Sequence, residues 1–409
     1  MKNNPTQQAA WVVVGGGMVG AAMALSLAES GRRVVVLEPQ LEQMLSIKTD
    51  ADYTAQPYDL RISAVTADNI ALLEELGVWS QVVALRAQPF NQLAVRENGG
   101  DWLEFGGLVA AQNEAKPKQP LGFMVENNLL QACLLQRLQS TPGVELLAAS
   151  FAGLNNQSED PAVMIKMSDD TLATVPYARL IVADGAQSHA RRALGMGTVG
   201  ASYHERCLLS VVQLNEPAGE RTWQTFADRE VHALLPLSAN QACLIVYADS
   251  PVIQAWQRAK NGVAEVLQAR FAAELGEFEL LNYASFPLQH QQAIRTFDRQ
   301  QRALLIGDAA HAIHPLAGQG VNLGLRDVAA LNELLQQVTD EDTAFDSKIE
   351  RVLRRRQVTN IAMGQGLDAV ARVFRSRNPL LQWTRRLGFV GLQTLPGVRE
   401  LLGKMAGQR

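Results

Sequence analysis

Trp11-Val12-Val13-Val14-Gly15-Gly16-Gly17-Met18-Val19-Gly20 decides the fold of this chain. Four apolar residues form a strand that runs directly into glycines. A helix-forming stretch, Ala21 to Glu29, follows, and then a second strand, Val34 to Leu37, ending at Glu38. This is G-x-G-x-x-G in the strand–turn–helix setting that gives the pattern its meaning. Gly15 lets the chain turn tightly, Gly17 carries no side chain to hold the backbone off a pyrophosphate, and Gly20 lets helix and strand pack closely. The helix start adds unpaired N–H groups and the positive end of the dipole. Glu38, at the tip of the second strand, can accept hydrogen bonds from ribose hydroxyls. Alone, the segment says that a dinucleotide binds and leaves open which one.

A chain of 409 residues exceeds the size at which one core keeps growing, so two lobes are expected. Apolar content of 47% and charged content of 19% are those of an ordinary folded protein. Cys133, Cys207 and Cys243 are odd in number and widely spaced, which suits a reducing cytoplasm better than a disulfide framework or a zinc knuckle. Residues 9–28 carry no charge, but they break into strand, turn and helix and follow no basic leader, so a signal peptide or membrane span is not expected. The net charge of −4 hides an asymmetry: residues 351–409 hold twelve Lys/Arg against Asp368 and Glu400. Interleaved with Phe374, Trp383 and Phe389, that end could rest on an anionic bilayer or an acidic partner; the alternative is a solvated basic face on helices whose apolar residues fill the core.

A short helix is expected over Asn69 to Leu76, stopped by Gly77, and a helix with Leu130, Leu134 and Leu138 on one stripe over Asn127 to Leu138. Alternation over 90–105 around Asn98-Gly99-Gly100 predicts a hairpin, and Gln112 to Pro120 reads as a linker. Arg179 to Ala183 reads as a short strand. Strands dominate from about Ser202 to Pro287, interrupted by a helical insertion from Ile253 to Leu275. The expected organisation is a discontinuous dinucleotide-binding domain (1–89, 106–190, 288–350), an antiparallel β-sheet domain (90–105, 191–287) and a helical basic segment (351–409).

A second cradle narrows the cofactor. Strand Leu304-Leu305-Ile306 ends in Gly307-Asp308, then Ala309-Ala310-His311 and His314-Pro315-Leu316-Ala317-Gly318-Gln319-Gly320-Val321-Asn322. Gly307 permits close approach, and Asp308 offers a carboxylate where sugar-alcohol hydroxyls could donate. Gly318 and Gly320 leave bare backbone before a long helix whose positive end suits the negative charge of a reduced flavin. A nicotinamide-dependent dehydrogenase needs no such second site.

These segments, with Val182-Ala183-Asp184-Gly185-Ala186-Gln187-Ser188 and Arg191, resemble the three signatures of single-component FAD-dependent aromatic hydroxylases of the para-hydroxybenzoate hydroxylase class. Within it the chain is most similar to the ubiquinone-biosynthesis hydroxylases, through Asp59-Leu60-Arg61-Ile62-Ser63-Ala64, Leu76-Gly77-Val78-Trp79, Met124-Val125-Glu126-Asn127 and Pro315 to Gly324. Val182 departs from the glycine usual at that place. The resemblance implies an α/β fold: a Rossmann-like FAD-binding domain with an antiparallel β-sheet substrate domain and C-terminal helices. It assigns Glu38 to the adenosine ribose, Asp308 to the ribityl chain, and Gly318, Gln319, Gly320, Val321 and Asn322 to the isoalloxazine. Asp184 and Gly185 would serve FAD and NAD(P)H contacts, and Arg61 would stand beside the flavin. The local alternatives are that Asp308 caps the next helix and that Arg61 forms a surface ion pair.

The implied activity is ring hydroxylation of a polyprenylated phenol or benzoquinol by O2, with NAD(P)H as a transient reductant and a flavin C4a-hydroperoxide as the oxidant. Thr222-Trp223-Gln224-x-Phe226 and Gly324-x-Arg326-Asp327-Val328 look most like the branch acting on 2-polyprenyl-3-methyl-6-methoxy-1,4-benzoquinol, with the C5-position hydroxylase or an aromatic hydroxylase of a soluble substrate as the alternatives. His311, His314 and Pro315 are weak catalytic candidates, and positioning is the favoured role for the histidines. The i, i+3 spacing of His311 and His314 lacks a third ligand nearby, so no metal is expected. A halogenase would carry a Trp-x-Trp pair, and a prenyl reductase its own tyrosine–tryptophan motif; neither is present. An FAD-stabilised scaffold of a biosynthetic complex is the non-enzymatic alternative. Expected partners are the prenylated substrate, O2 and other proteins of ubiquinone biosynthesis, with no nucleic acid; the expected location is the cytoplasm, with peripheral membrane contact.

Overall fold

The computed structural model describes residues 10–97, 99–105, 120–155, 161–227, 229–312 and 320–375. Its centre is a six-stranded sheet ordered Phe297–Asp298, Ala303–Leu305, Arg179–Val182, Trp11–Val14, Val34–Leu37 and Val144–Leu147. All pairs are parallel except the short antiparallel edge at Phe297–Asp298. Parallel strands are covered on both faces, which is why Trp11–Val14 and Val34–Leu37 read as unbroken apolar runs and are buried throughout. Val182 takes its regular place between Val14 and Leu305, fully buried, so the departure from glycine fits the centre of the sheet.

The Met18–Glu29 helix lies on this sheet, flanked by the Asn127–Gln139 and Gly320–Leu335 helices. Ala21, Ala22 and Ala24 are fully buried; their small side chains let three helices crowd together. The Asn127–Gln139 helix is buried more broadly than one leucine stripe, since Leu129, Ala132, Cys133 and Leu135 are also inside. The helix after Thr66 runs Ala67–Glu75 and ends before Gly77, whose φ of +69° suits glycine.

The second lobe is an eight-stranded sheet, ordered His311–Ala312, Phe278–Ala293, Thr198–Leu214, Gln241–Asp249, Glu230–Pro236, Arg221–Ala227, Gln92–Glu97 and Leu103–Phe105. It differs from a purely antiparallel sheet at one junction: Gln92–Glu97 pairs parallel with Arg221–Ala227, as a long intervening connection permits. The Phe278–Ala293 strand also runs past the boundary expected at 287. The helical insertion is two helices, Ser250–Arg258 and Gly262–Leu275. They break where Asn261 adopts φ +58° and where a Cβ on Gly262 would meet the Trp256 carbonyl at 2.5 Å. Two three-stranded sheets had no counterpart in the sequence reading: Ile62–Thr66 with Gly122–Glu126 and Gln88–Phe90, and Ala149–Asn155 with Ala162–Met167 and Leu172–Pro176.

The Phe345–Arg375 helix spans the 350/351 boundary without a break. Its start is locked to the first strand: Phe345 is 1% exposed and meets Trp11 edge-on at 6.1 Å, while the Asp340 carboxylate accepts from Trp11 Nε1 at 2.8 Å and Arg32 Nε at 2.7 Å. Burying one such phenylalanine contributes about 2–3 kcal/mol. Leu353 and Asn360 are also buried, so the first part of the basic segment belongs to the core. Residues 376–409, with Arg385, Arg386, Trp383 and Phe389, lie outside the described residues, as do Gln112 to Gln119.

Candidate active site

The three glycines of the first turn are glycine for three different reasons. Gly15 has φ +100°, and a Cβ there would stand 2.5 Å from the Ala183 carbonyl. A Cβ on Gly20 would overlap the Gly15 carbonyl at 1.9 Å, so helix and turn are in direct backbone contact. A Cβ on Gly17 would meet nothing within 4 Å: this position faces open space at the cavity mouth and the N-terminus of the Met18–Glu29 helix. The sequence reading passed over Gly16, whose Cβ would press on the Glu38 side chain at 2.8 Å. Glu38 is buried, and its carboxylate accepts from Gly16 N at 2.9 Å and Gln40 N at 2.9 Å, bracing the turn from the second strand. Gln131 completes the brace by donating to the Gly16 carbonyl at 3.1 Å.

From this turn a cavity of about 570 Å³ extends beneath the eight-stranded sheet. Gly17, Arg61, Gly185, Gly307, Asp308, Gly320 and Val321 line it, so seven of the expected site residues come together from five segments of the chain. Gly307 has φ +56° and backs onto Val19. The Gly320 position, like Gly17, has free space where a side chain would go. Arg61 pairs with no carboxylate among the described residues; its guanidinium stands 5.7 Å from the Phe286 ring. The Asp308 side chain is exposed to the cavity, and the protein mass around it still raises its pKa against the opposing pull of His311 and Arg61.

Other expected site residues serve the frame. One Asp184 oxygen accepts from His189 N at 2.9 Å and Ala190 N at 3.1 Å, holding the start of the His189–Ala193 helix, while the other is buried without a partner among the described residues. Asn322 is fully buried and spent: it donates to the Ala64 carbonyl at 2.7 Å and accepts from Asn69 Nδ2 at 2.8 Å and Thr66 N at 3.1 Å. Its side chain therefore ties the Gly320–Leu335 helix to the Ile62–Thr66 strand. Arg191 donates to the Ala309 carbonyl at 2.7 Å, joining the turn after Val182 to the one after Ile306.

His311 does not reach the cavity wall, which removes it as a direct acid or base. It is 2% exposed, and its Nε2 meets Asp327 Oδ2 at 2.5 Å. Asp327 also accepts from Arg356 Nε at 2.9 Å and Asn360 Nδ2 at 3.1 Å, both on the Phe345–Arg375 helix. Burial works against the imidazolium, but Asp327 and Asp308 overcome it and raise the His311 pKa. Burial likewise pushes Asp327 up, and His311 and Arg356 hold it below the usual carboxylate range. Arg326 pairs with Asp68 at 2.6 Å, so both charged residues of the Gly324-x-Arg326-Asp327 motif face protein. His314, Pro315, Gly318 and Gln319 lie outside the described residues.

A second buried network holds the segment before Arg61. Arg86 donates to the carbonyls of Tyr53, at 2.7 Å, Thr54, at 2.9 Å, and Gln56, and pairs with Glu126 at 3.2 Å; Glu126 in turn accepts from Asp59 N at 2.7 Å. No local pattern marks Arg86, whose partners are spread from Tyr53 to Glu126.

The residues present fit FAD: an open glycine at a helix start for the pyrophosphate, a strand-tip carboxylate on each side, and a second bare helix start beside the cavity. Fold and site together define a flavin-dependent oxidoreductase. Comparison with known proteins agrees. The FAD binding domain family matches residues 8–359. The 3-demethoxyubiquinol 3-hydroxylase of Escherichia coli K12 is 37% identical over 402 residues, covering 96% of each chain, and the ubiquinone hydroxylase UbiL of Rhodospirillum rubrum is 30% identical, covering 97% of this chain and 88% of its own. Among solved structures, p-nitrophenol 4-monooxygenase PnpA of Pseudomonas putida shares the fold, with TM-score 0.77, 20% identity, and coverage of 98% of this chain and 99% of that one. The chain belongs to the family of FAD-dependent aromatic-ring monooxygenases that contains the ubiquinone-biosynthesis hydroxylases.

Proposed function

We propose that the protein hydroxylates the ring of a polyprenylated phenol or benzoquinol on the way to ubiquinone, using O2 and reducing equivalents from NAD(P)H. One observation carries the reading: among the described residues, the eight-stranded sheet contributes no charged side chain to the cavity. Leu209, Leu235, Ile245, Tyr247 and Leu288 make its wall, and the two charged lining residues among those described, Arg61 and Asp308, come from the cofactor side. A benzoate-like substrate would call for a cation on the sheet; a neutral ring with a greasy tail does not.

FAD, when bound, supplies the hydride acceptance and oxygen activation. Gly15 to Gly20 would hold the pyrophosphate, Glu38 the adenosine ribose and Asp308 the ribityl hydroxyls. Gly320 and Val321 would flank the ring system, and Gly185 with its neighbours would receive NAD(P)H. Arg61 supplies a cation at the cavity, and the sheet keeps water from the reacting face. The ring position proposed is the one named for the E. coli relative, with the C5 position as the alternative.

Complementation of bacterial strains each lacking one ring hydroxylase, with analysis of the accumulated quinones, tests this. Restoring ubiquinone in one strain only supports the reading and fixes the position. An FAD-loaded protein that restores none and forms no hydroxylated quinol would leave the scaffold reading in its place.

No helix among the described residues is long and apolar enough to cross a membrane. The proposed site of work is the cytoplasmic membrane face, or an assembly of ubiquinone-biosynthesis proteins, reached through the basic C-terminal end. Replacing Arg385 and Arg386 by Glu should weaken binding to anionic liposomes in a salt-dependent way, each charge contributing about 1 kcal/mol. Liposome binding absent in the parent, or unchanged in the variant, refutes the bilayer contact.

A further inference from the structure

The Arg221–Ala227 strand alternates cleanly. Trp223 and Thr225 point to the outer side, where Trp223 meets Trp102 edge-on at 5.5 Å and Phe271 at a tilt at 5.6 Å, and Thr225 Oγ1 accepts from Arg96 at 3.1 Å. Thr222, Gln224 and Phe226 point the other way. Thr222 Oγ1 is satisfied by the Leu234 carbonyl at 2.7 Å, and Phe226 joins the apolar cluster of Leu235, Ile245 and Tyr247. Gln224 lies between them, lining the cavity, and no described residue bonds to its amide. It is only 8% exposed, and its neighbours along the sheet side of the cavity include Leu235, Ile245 and Tyr247. The other polar groups of the wall are accounted for: the Tyr247 hydroxyl bonds to the Cys207 thiol, and Gln289 sits at the exposed end.

An amide carries two donors and two acceptor sites, and in a largely apolar wall it calls for a polar partner. Its cross-strand neighbour is Ala233, small enough to leave room for a ring in front of it. We infer that the Gln224 amide is the substrate-orienting group of the cavity, engaging a ring oxygen of the phenol or quinol and so choosing which ring carbon faces the flavin side. The inference rests on the hydroxylase reading above and deepens it. Accepting a hydrogen bond from a ring hydroxyl also leaves more electron density on the carbons ortho and para to it, the positions open to an electrophilic oxygen. Of the branch-like motif Thr222-Trp223-Gln224-x-Phe226, Gln224 is the residue in a position to read substrate; Trp223 serves the outer packing.

The test compares FAD-loaded wild type with Gln224→Met, close in length but apolar, and Gln224→Asn, which retracts the amide by one carbon. Binding of 2-methoxy-5-methyl-1,4-benzoquinol and its two mono-O-methyl ethers is followed anaerobically by flavin fluorescence, and the products are identified after NAD(P)H and O2 are admitted. Wild type should favour the quinol over one of the ethers by about tenfold. Gln224→Met should bring the two to within about twofold, leave that ether's affinity near its wild-type value, and scatter hydroxylation over ring positions; Gln224→Asn should fall between. If Gln224→Met keeps the preference, or wild type binds all three alike, the inference is overturned while the hydroxylase reading stands. If wild type binds none of the three and binds aromatic carboxylates instead, the hydroxylase reading fails and takes the inference with it.

Discussion

Replacing Asp327 by Asn removes the charge that joins His311, Arg356 and Asn360 while keeping the side-chain volume. The Asp327 and His311 side chains are 4% and 2% exposed, and that of Arg356 is 16% exposed. Deleting one partner of a buried pair costs about 3–5 kcal/mol when the other stays charged. Here the cost sits at the lower end, about 3 kcal/mol near pH 6, because His311 can release its proton and Arg356 keeps its 2.8 Å bond to Asn360. The pH signature is the sharper readout. The raised pKa of His311 means that its contribution is complete below the unfolded value of about 6.5 and is lost as pH rises through the folded one. The lowered pKa of Asp327 means that its contribution is complete above about 4 and is lost as pH falls through the folded value. Urea unfolding of wild type and Asp327→Asn from pH 4.5 to 9 should therefore show the largest gap at pH 5–6.5. The gap should narrow to about half by pH 9, where the Arg356 contact survives. A gap that is flat across this range, or no loss at all, would show that the pair is not ionised in the folded protein.

Gly17→Ala and Gly20→Ala should separate ligand space from packing: the first should leave apoprotein stability unchanged and weaken FAD binding at least about tenfold by titration, whereas the second, with its Cβ 1.9 Å from a carbonyl, should fail to fold or melt several degrees lower. Equal melting temperatures in the two apoproteins would refute the distinction. Asp308→Asn should give a folded protein whose FAD dissociation constant rises about tenfold or more, the worth of a charge-assisted hydrogen bond; full flavin absorbance after gel filtration would sink the ribityl assignment. Arg86→Met should destabilise by about 3 kcal/mol, since it strands Glu126 and three carbonyls, and limited proteolysis should show cleavage between residues 50 and 60. An unchanged digestion pattern would mean that this segment is held by something else.

What the sequence disclosed about the site follows the range of the forces involved. Gly15, Gly20 and Gly307 were legible because backbone conformation and close approach are local demands that only glycine meets, and Gly17 because the spacing of the pattern marks it. Asp308 and Gly320 were legible because a strand tip and a helix start are marked by their neighbours. Asp327 stood in a quoted motif, yet its role depends on His311 behind a chain turn and on Arg356 from another helix, and no spacing rule encodes that triangle. The structural role of the Asn322 side chain was not legible, because its place directly after the glycines says nothing of the partners, Thr66 and Asn69, toward which the helix turns it. The parallel pairing of Gln92–Glu97 with Arg221–Ala227 escaped notice for a similar reason: alternation announces a strand but not its neighbour.

That pairing sets an order of events during synthesis. The Gln92–Glu97 and Leu103–Phe105 hairpin leaves the ribosome as an isolated two-stranded piece, which is marginal in water. The strand it joins, Arg221–Ala227, and Trp223, which packs edge-on against its Trp102, are made more than a hundred residues later. Until then the hairpin presents an open edge, and the chain depends on chaperones or on speed to avoid misplaced pairing. The cavity closes later still, because Gly320 and Val321 belong to its wall. Flavin capture is thus a late step, and a nascent chain stalled before that helix should emerge without colour.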